Sequence, residues 1–281
     1  FLELERERIF ARTWQLVGRV DDVREHGQFI TAQIENDPIV VLRDGDTLRG
    51  FYNVCLHRAG PVASGCGRRN TLQCKYHGWT YSLDGTLRRA PEMQGVQRFD
   101  PESMHLVPVQ VATWGPLVFV NVDGKAPPLV DVLEDLPTRL APFHCESMRY
   151  VMRKEWEIAC NWKIYVDNYL EGYHVPHIHP GLNRLLDYRS YVTATAEWYS
   201  FQWSPLESDD SLYGSGGDAL YYWLWPNTML NIVPGRLQTN RILPKGADRC
   251  RVEFDFYYAM DESDAGKARR AADLSFSDEV Q

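Results

Sequence analysis

Apolar and polar residues alternate with two different periods along the chain. Residues 1–15 have the helical period, with Leu2, Phe10 and Trp14 among the apolar positions and charged residues between them, which predicts an amphipathic leading helix. From there to about residue 120 the pattern changes to short strand-like runs separated by D-G, H-G and G-C-G turns. This punctuation predicts a small antiparallel β domain.

Two dipeptides inside the β region mark hairpins. Asp44-Gly45 and Asp84-Gly85 are of the type that two-residue hairpin turns prefer. Further on, the tripeptide W-G-P at 114–116 is followed by the apolar run L-V-F-V-N-V. We interpret this run as a buried strand that closes the β domain.

The second half of the chain combines strand and helix patterns. Segments 149–160 and 241–259 alternate as strands, and the aromatic-rich stretches 188–203 and 219–232 have the same period of two. Asn161 is placed to cap the helix that starts after it. The fold class is therefore predicted to be α+β.

The boundary between the two parts is predicted from composition. A Pro-rich connector, K-A-P-P-L-V-D-V-L, occupies 125–133. We divide the chain into 1–14, a leading helix expected to pack on the second domain; 15–124, the β domain; and 125–281, the second domain. Within the second domain, the Ser- and Gly-rich segment 204–218 is expected to form a flexible loop at a pocket mouth.

Composition and charge exclude several classes of partner. The chain has 281 residues, 44% hydrophobic and 24% charged, as in ordinary soluble globular proteins. Its formal charge of −8 argues against nucleic acid and anionic membranes as partners. We find no run of about 18 apolar residues that would span a membrane and no signal-peptide pattern. The chain starts at Phe1 instead of methionine, so the pattern does not report on a preceding segment.

Of the six cysteines, Cys55 and Cys74 sit in patterned company and the other four are scattered, which does not indicate a disulfide framework. Cys145, Cys160 and Cys250 are most simply small buried apolar residues. A reducing compartment, the cytoplasm, fits this usage best.

The highest density of chemically active residues lies at 167–180, D-N-Y-L-E-G-Y-H-V-P-H-I-H-P. Asp167, Glu171 and His174 would share one helix face, and Pro176 should end that helix. His179 could then fold back beside His174, and two imidazoles with one carboxylate from elsewhere make a facial triad for non-haem iron(II). A zinc hydrolase using His174, His177 and His179 with Glu171 as general base remains an alternative.

A second constellation lies in the β domain. Cys55-x-His57 and Cys74-x-x-His77 each follow a strand-like run, so two neighbouring loops would each supply one cysteine and one histidine. This arrangement suits a Rieske [2Fe–2S] cluster, in which two thiolates hold one iron and two imidazoles the other. A structural zinc site is the alternative.

Both constellations resemble one family. C-L-H-R-A-G-P with C-K-Y-H-G-W-T-Y is similar to the cluster-binding loops of Rieske non-haem iron oxygenases. N-W-K-x-x-x-D-N-Y-L-E-G-Y-H-V-P-x-x-H-P resembles the catalytic motif of their α (large) subunits, which include ring-hydroxylating dioxygenases and choline and carnitine monooxygenases. The resemblance implies a small antiparallel Rieske domain and a helix-grip catalytic domain, with the cluster held by Cys55, His57, Cys74 and His77.

The resemblance also assigns roles around a mononuclear iron(II). It implies that His174 and His179 are iron ligands, that Asp167 orients groups near the metal, and that Glu171 links the iron to the cluster of a neighbouring subunit. His177 matches no ligand position. In the family a C-terminal helix supplies the third ligand, which we expect just past Gln281, with Asp278 as the candidate within the chain.

The activity implied is that of a terminal oxygenase. Electrons from NAD(P)H would arrive through a reductase or ferredoxin, and O2 would be used to hydroxylate a small molecule. The substrate would be an aromatic ring, as in aromatic hydrocarbon catabolism, or a quaternary ammonium compound, as in choline or carnitine oxidation. A homotrimer, with or without a β subunit, is implied as well. Outside this class, the zinc hydrolase and a Rieske electron-transfer protein stay open.

Overall fold

The computed structural model describes residues 1–206, 212–213 and 216–280. Contacts divide the chain into two compact units, Glu3–Leu129 and the part that starts at Val130. The boundary lies five residues beyond the predicted one, within the connector. Part of the loop expected at 204–218 lies outside the described residues.

The first unit is antiparallel β structure, in which tight turns join strands such as β3 and β4 and longer segments join β4 to β5 and β8 to β9. One sheet has seven strands in the order β1-β10-β9-β4-β3-β2-β5, and β6, β7 and β8 form a second, three-stranded sheet. The strands are β1 (Gln15–Arg19), β2 (Gln28–Ile34), β3 (Asp37–Asp44), β4 (Thr47–Tyr52), β5 (Cys66–Arg68), β6 (Leu72–Gln73), β7 (Thr80–Tyr81), β8 (Leu87–Arg89), β9 (Pro108–Trp114) and β10 (Leu117–Asn121).

The predicted hairpins are present. Asp44 pairs with Thr47 across the β3–β4 turn, where Gly45 has a φ of 58°, a conformation that glycine adopts without strain. Gly85, with a φ of 90°, turns the chain between β7 and β8. All five residues of β10 are buried between β1 and β9, as expected for the strand that closes the domain.

The leading segment differs from the prediction. It forms a short helix α1 (Leu2–Glu5) followed by a π-helical turn at Arg6–Phe10, and from Glu3 onward it belongs to the first unit. The Ala11 carbonyl accepts hydrogen bonds from the Asn121 side chain (3.3 Å) and the Asp123 N–H (3.2 Å). Phe10 and Trp14 are buried, and the packing of this segment on the second domain stays a prediction.

The second unit is built on one antiparallel sheet with helices. Its seven strands run in the order β11-β17-β16-β15-β14-β13-β12. The strands are β11 (Arg149–Ile158), β12 (Val192–Thr195), β13 (Tyr199–Pro205), β14 (Asp218–Leu224), β15 (Thr228–Val233), β16 (Arg236–Pro244) and β17 (Cys250–Tyr258). Strands and helices in separate runs make this an α+β unit, as predicted.

The helices after α1 are mostly short. Their bounds are α2 (Leu129–Leu133), α3 (Leu136–Leu140), α4 (Trp162–Tyr169), α5 (Val175–Ile178), α6 (Pro180–Leu185) and α7 (Asp264–Val280). Short 3₁₀ turns lie at Val20–Val23, Pro101–Ser103, Ala141–Phe143, Cys145–Ser147 and Tyr188–Ser190. Among the helices of the described chain, none is both long and apolar enough to cross a membrane.

Helix α4 begins as predicted and ends earlier. Asn161 caps it, accepting a hydrogen bond from the Lys163 N–H (3.1 Å). The helix stops at Tyr169, and Pro176 lies in the first turn of α5, where its missing N–H costs nothing. The prediction that one helix runs to Pro176 is therefore wrong.

Candidate metal centres

The two Cys–His loops of the first unit hold their sulfur atoms in the interior. Cys55 and Cys74 are 2% and 3% exposed. Each loop is closed by a backbone hydrogen bond, from the Cys55 N–H to the Gly60 carbonyl (2.8 Å) and from the Cys74 N–H to the Trp79 carbonyl (2.9 Å). A Cβ at Gly60 would lie 2.9 Å from the Cys74 Sγ, so the loops meet where only glycine fits.

The two histidines of these loops are neighbours. The rings of His57 and His77 lie 4.5 Å apart, and the His57 ring stacks on Trp79 at 5.0 Å. The Nδ1 of His57 is buried and has no hydrogen-bond partner among the described residues. Desolvation, followed by the nearby His77 and Arg58, lowers the pKa of His57, which favours the neutral imidazole that a metal requires.

These observations fit a Rieske cluster. The donor set that two irons would use, two ligands for each, comprises two buried thiols and two adjacent imidazoles, one of which has a buried nitrogen without a partner among the described residues. The Tyr81 hydroxyl lies 3.3 Å from the Cys55 Sγ and accepts a hydrogen bond from the Leu56 N–H (3.1 Å). Hydrogen bonding near a ligating sulfur is one of the factors that set a cluster's reduction potential.

The histidine pair of the second unit lies beyond the break after α4. The rings of His174 and His179 are 5.2 Å apart. Glu171 holds His174 through both carboxylate oxygens: Oε1 contacts the ring Nδ1, and Oε2 accepts from the backbone N–H at 3.2 Å. This contact leaves the Nε2 of His174 for a metal. Desolvation and then His174 lower the pKa of His179.

The histidine pair opens into a cavity of about 160 Å³. Its walls are aromatic, aliphatic and amide side chains, and the described lining contains one carboxylate, Glu171, and one guanidinium, Arg236. The aromatic lining comprises Tyr165, Tyr169, Tyr191, Tyr213, Tyr221, Phe254 and Phe276. Rings and amides with few charges are typical of small-molecule sites.

Tyr169 attaches the end of α4 to the sheet. Its hydroxyl donates to the Oδ1 of Asn231 at 2.9 Å, and its carbonyl accepts from the Nε2 of Gln202 at 2.6 Å. The segment that carries Glu171 and His174 starts directly after this anchor, so the strands β13 and β15 position the candidate iron ligands.

Other predicted site residues lie outside the cavity. Asp167 is exposed and does not line it. The Asp278 carboxylate accepts a hydrogen bond from the Lys154 Nζ at 2.7 Å, although Phe276, Ser277 and Val280 of the same helix do line the cavity. The phase of the helix therefore directs Asp278 toward Lys154 and not into the cavity lining, and its role as third ligand stays a prediction.

His177 also lies outside the cavity and is exposed. A three-histidine zinc site is therefore not assembled by the described residues. Among the described residues, no group of three or more His, Cys, Asp or Glu side chains could hold one metal ion. Both centres proposed from sequence use two described ligands for each iron.

The polar wall of the cavity was not predicted from the sequence. The Oδ1 of Asn240 accepts from the Nδ2 of Asn231 (3.2 Å) and the Nε2 of Gln238 (2.8 Å). Arg236, which lines the cavity, forms a buried ion pair at 3.0 Å with Asp273, which does not. No motif signals these residues, because β15, β16 and α7 bring them together only in the folded unit.

Family models of known proteins match both parts of the chain. The family model of the Rieske [2Fe-2S] domain matches residues 13–100, and the model of the ring hydroxylating alpha subunit (catalytic domain) matches residues 145–281. The chain belongs to the Rieske non-haem iron oxygenase α-subunit family. The [2Fe–2S] cluster and mononuclear iron of that family fit the two donor sets described above.

Individual relatives of this family are similar to the chain over most of its length. Chloroplastic choline monooxygenase of Arabidopsis thaliana is 38% identical over 92% of this chain and 65% of the relative, so the chain spans about two thirds of that protein. The carnitine monooxygenase oxygenase subunit of Escherichia coli (strain K12) is 33% identical over 92% of this chain and 72% of the relative.

Solved structures agree with this similarity. A quaternary ammonium Rieske monooxygenase superposes with a TM-score of 0.87 at 30% identity, covering 99% of this chain and 79% of that one. Naphthalene 1,2-dioxygenase shares the fold, with a TM-score of 0.78 at 21% identity over 99% of this chain and 72% of that one.

Proposed function

We propose that this chain is the terminal oxygenase component of a Rieske oxygenase. It receives electrons from NAD(P)H through a reductase or ferredoxin and uses O2 to hydroxylate a small molecule. The observation that carries the proposal is the presence of both donor sets, Cys55/His57/Cys74/His77 and His174/His179, each at a partly buried site. A zinc hydrolase has no use for the first set, and an electron carrier has no use for the second.

We propose further that the substrate is a quaternary ammonium N-methyl compound. The relatives named for choline and carnitine oxidation support this class. The cavity supports it as well, since tyrosine and phenylalanine faces attract a desolvated cation. Glu171 of the segment D-N-Y-L-E-G-Y-H adds a negative charge to the same wall. Hydroxylation of an aromatic ring is the second candidate.

The chain's own residues prepare the site for iron, which when bound supplies O2 activation. Glu171 fixes the ring orientation of His174, an outer-shell contact of the kind that tunes metal ligands. Desolvation and the nearby His174 lower the pKa of His179, which favours the neutral imidazole needed for ligation. The aromatic wall limits water around the substrate.

We propose a head-to-tail homotrimer in which the cluster of one subunit serves the iron of the next through Glu171. Large apolar side chains are exposed at both ends of this proposed contact. On the cluster loops Leu56 and Tyr76 are 37% and 67% exposed, and around α4 and α5 Ile164, Tyr173 and Ile178 are 61%, 72% and 66% exposed. Exposed apolar groups near functional loops are typical of interaction surfaces.

We place the protein in a reducing compartment, the cytoplasm. None of the six cysteines is in a disulfide, as glutathione and thioredoxin maintain them there. The plant relatives are named as chloroplastic, and cell fractionation would decide the compartment.

Turnover by the reconstituted enzyme tests the activity and the substrate class. With a flavin reductase, NADH and isotopically labelled O2, we expect one labelled oxygen atom in the product of choline or carnitine and none in naphthalene. Labelled diol from naphthalene would replace the quaternary ammonium class by the aromatic one. Hydrolysis without NADH consumption would contradict the oxygenase.

Mixed trimers test the shared site. A His174→Ala chain lacks an iron ligand and a Cys74→Ala chain lacks a cluster ligand, and each is expected to be inactive alone. Co-expressed, they should recover activity, since an intact cluster then faces an intact iron in some interfaces. Mixed chains that remain inactive would contradict electron transfer between subunits, and co-purified tags would verify that the mixed assembly had formed.

A further inference from the structure

The segment that carries Glu171 and His174 is short and belongs to neither of the helices beside it. Residues 170–174 lie between the end of α4 at Tyr169 and the start of α5 at Val175. A helix fixes its own backbone through internal hydrogen bonds, whereas a connecting segment depends on contacts with the rest of the fold. The contacts made by this segment therefore decide where the two side chains point.

Gly172, in the middle of this segment, packs directly on the ring of Tyr191. A Cβ at Gly172 would lie 2.5 Å from the Cε1 and 2.6 Å from the Cζ of that ring. The φ of Gly172 is not positive, so glycine is needed here for the close approach of the ring and not for a special backbone conformation. The Tyr191 ring thus rests on the backbone between Glu171 and Tyr173.

Gln202 of β13 joins Tyr191 to the start of the same segment. The Gln202 Oε1 accepts a hydrogen bond from the Tyr191 hydroxyl at 2.6 Å, and its Nε2 donates to the Tyr169 carbonyl at 2.6 Å. Gln202 is 2% exposed. A buried amide with both ends paired holds one orientation, so the ring of Tyr191 and the end of α4 are fixed relative to each other.

We propose that Tyr191 and Gln202 form a brace that holds Glu171 and His174 in the geometry that iron requires. Both are positioning residues, because they act on the ligand segment through its backbone at Tyr169 and Gly172. The inference deepens the proposed iron centre and rests on it.

Metal binding without substrate tests the brace. Tyr191 and Gln202 also line the cavity, so turnover alone would not separate positioning from substrate contact. Protein that keeps its [2Fe–2S] cluster and is depleted of mononuclear iron is titrated with Co2+. High-spin Co2+ gives an EPR signal whose shape depends on its ligands and geometry, and the oxidised cluster gives none. We expect the wild type to bind one Co2+ per chain, and His174→Ala to bind none.

Substitutions in the brace should weaken this binding. Tyr191→Phe keeps the ring and removes the hydroxyl, and we expect about tenfold lower affinity for Co2+ and a changed EPR signal, the lower range for outer-shell partners. Gln202→Leu removes both hydrogen bonds and should cost about 10–100-fold. In the double variant the phenol has no acceptor left to lose, so its affinity should not fall below that of Gln202→Leu alone.

The chain offers a matched control in Tyr199→Phe. Tyr199 lies in the same strand as Gln202, is 4% exposed, and donates its hydroxyl to Asp135, but it does not line the cavity. The control loses the same hydroxyl group away from the ligand segment, so its affinity for Co2+ and its EPR signal should equal those of the wild type. Thermal unfolding shows that each variant is folded before binding is compared.

Each outcome decides the question. Weaker binding in Tyr191→Phe and Gln202→Leu, without a further loss in the double variant and with none in Tyr199→Phe, supports the inference. Wild-type affinity and EPR signal in Tyr191→Phe, additive losses in the double variant, or an equal loss in Tyr199→Phe overturn it while the proposed iron centre stands. Failure of the wild type to bind Co2+, or equal binding by His174→Ala, overturns the iron centre and the inference together.

Discussion

Replacing His174 by alanine is expected to remove about one iron per chain. Turnover should fall more than about 100-fold, because the loss of an outer-shell partner already costs up to about 100-fold and His174 is itself a proposed ligand. The imidazole is one of two described donors at the proposed iron, and Glu171 orients it. Metal analysis should still find about two irons and two sulfides per chain, because a [2Fe–2S] cluster is held by the other unit.

His177→Ala is the matched control. His177 lies three residues further along, is exposed, and does not line the cavity. Its iron content and turnover should equal those of the wild type. Retention of all the iron and activity by His174→Ala, or equal losses in the two variants, would contradict the assignment of His174 as a ligand.

Replacing Cys74 by alanine is expected to remove the cluster, and with it about two irons and two sulfides per chain. The EPR signal of the reduced protein should disappear and turnover with NADH should fall more than 100-fold, since no other described donor set can pass electrons to the iron. The thermal midpoint should fall as well, because cluster binding adds to the stability of a small domain.

Cys66→Ala provides the comparison. Cys66 is an exposed thiol of β5 in the same unit, so its removal tests whether loss of any cysteine has the same effect. We expect an unchanged EPR signal. Zinc in the wild type in place of iron and sulfide would overturn the cluster assignment for all four ligands.

Sequence was most informative where structure is local. The Cys–His loops and the turns at Gly45 and Gly85 depend on spacing and on backbone conformations that few residues adopt. These features are set within a few positions of the chain, and the cap at Asn161 is of the same kind.

Sequence failed where distant contacts decide. Helix α4 ends at Tyr169 because its terminal residue is fixed to the sheet by Asn231 and Gln202, which helical periodicity does not reveal. Asp278 is turned toward Lys154 by the phase of α7. Arg236 and Asp273 belong to no motif, and their pairing depends on how α7 packs on the sheet.

The order of strands in the second unit has a consequence for biosynthesis. Strands β12 to β17 form a sequential meander, whereas β11 pairs with β17, the last strand among the described residues. The segment bearing His174 and His179 joins β11 to β12 and thus connects opposite edges of the sheet. During translation this segment leaves the ribosome before β12 and β17 have been made. The pairing of β11 with β17 is distant in sequence and therefore forms late. The amino-terminal unit can meanwhile fold and acquire its cofactor, so iron loading at the histidine pair is expected to be a post-translational event.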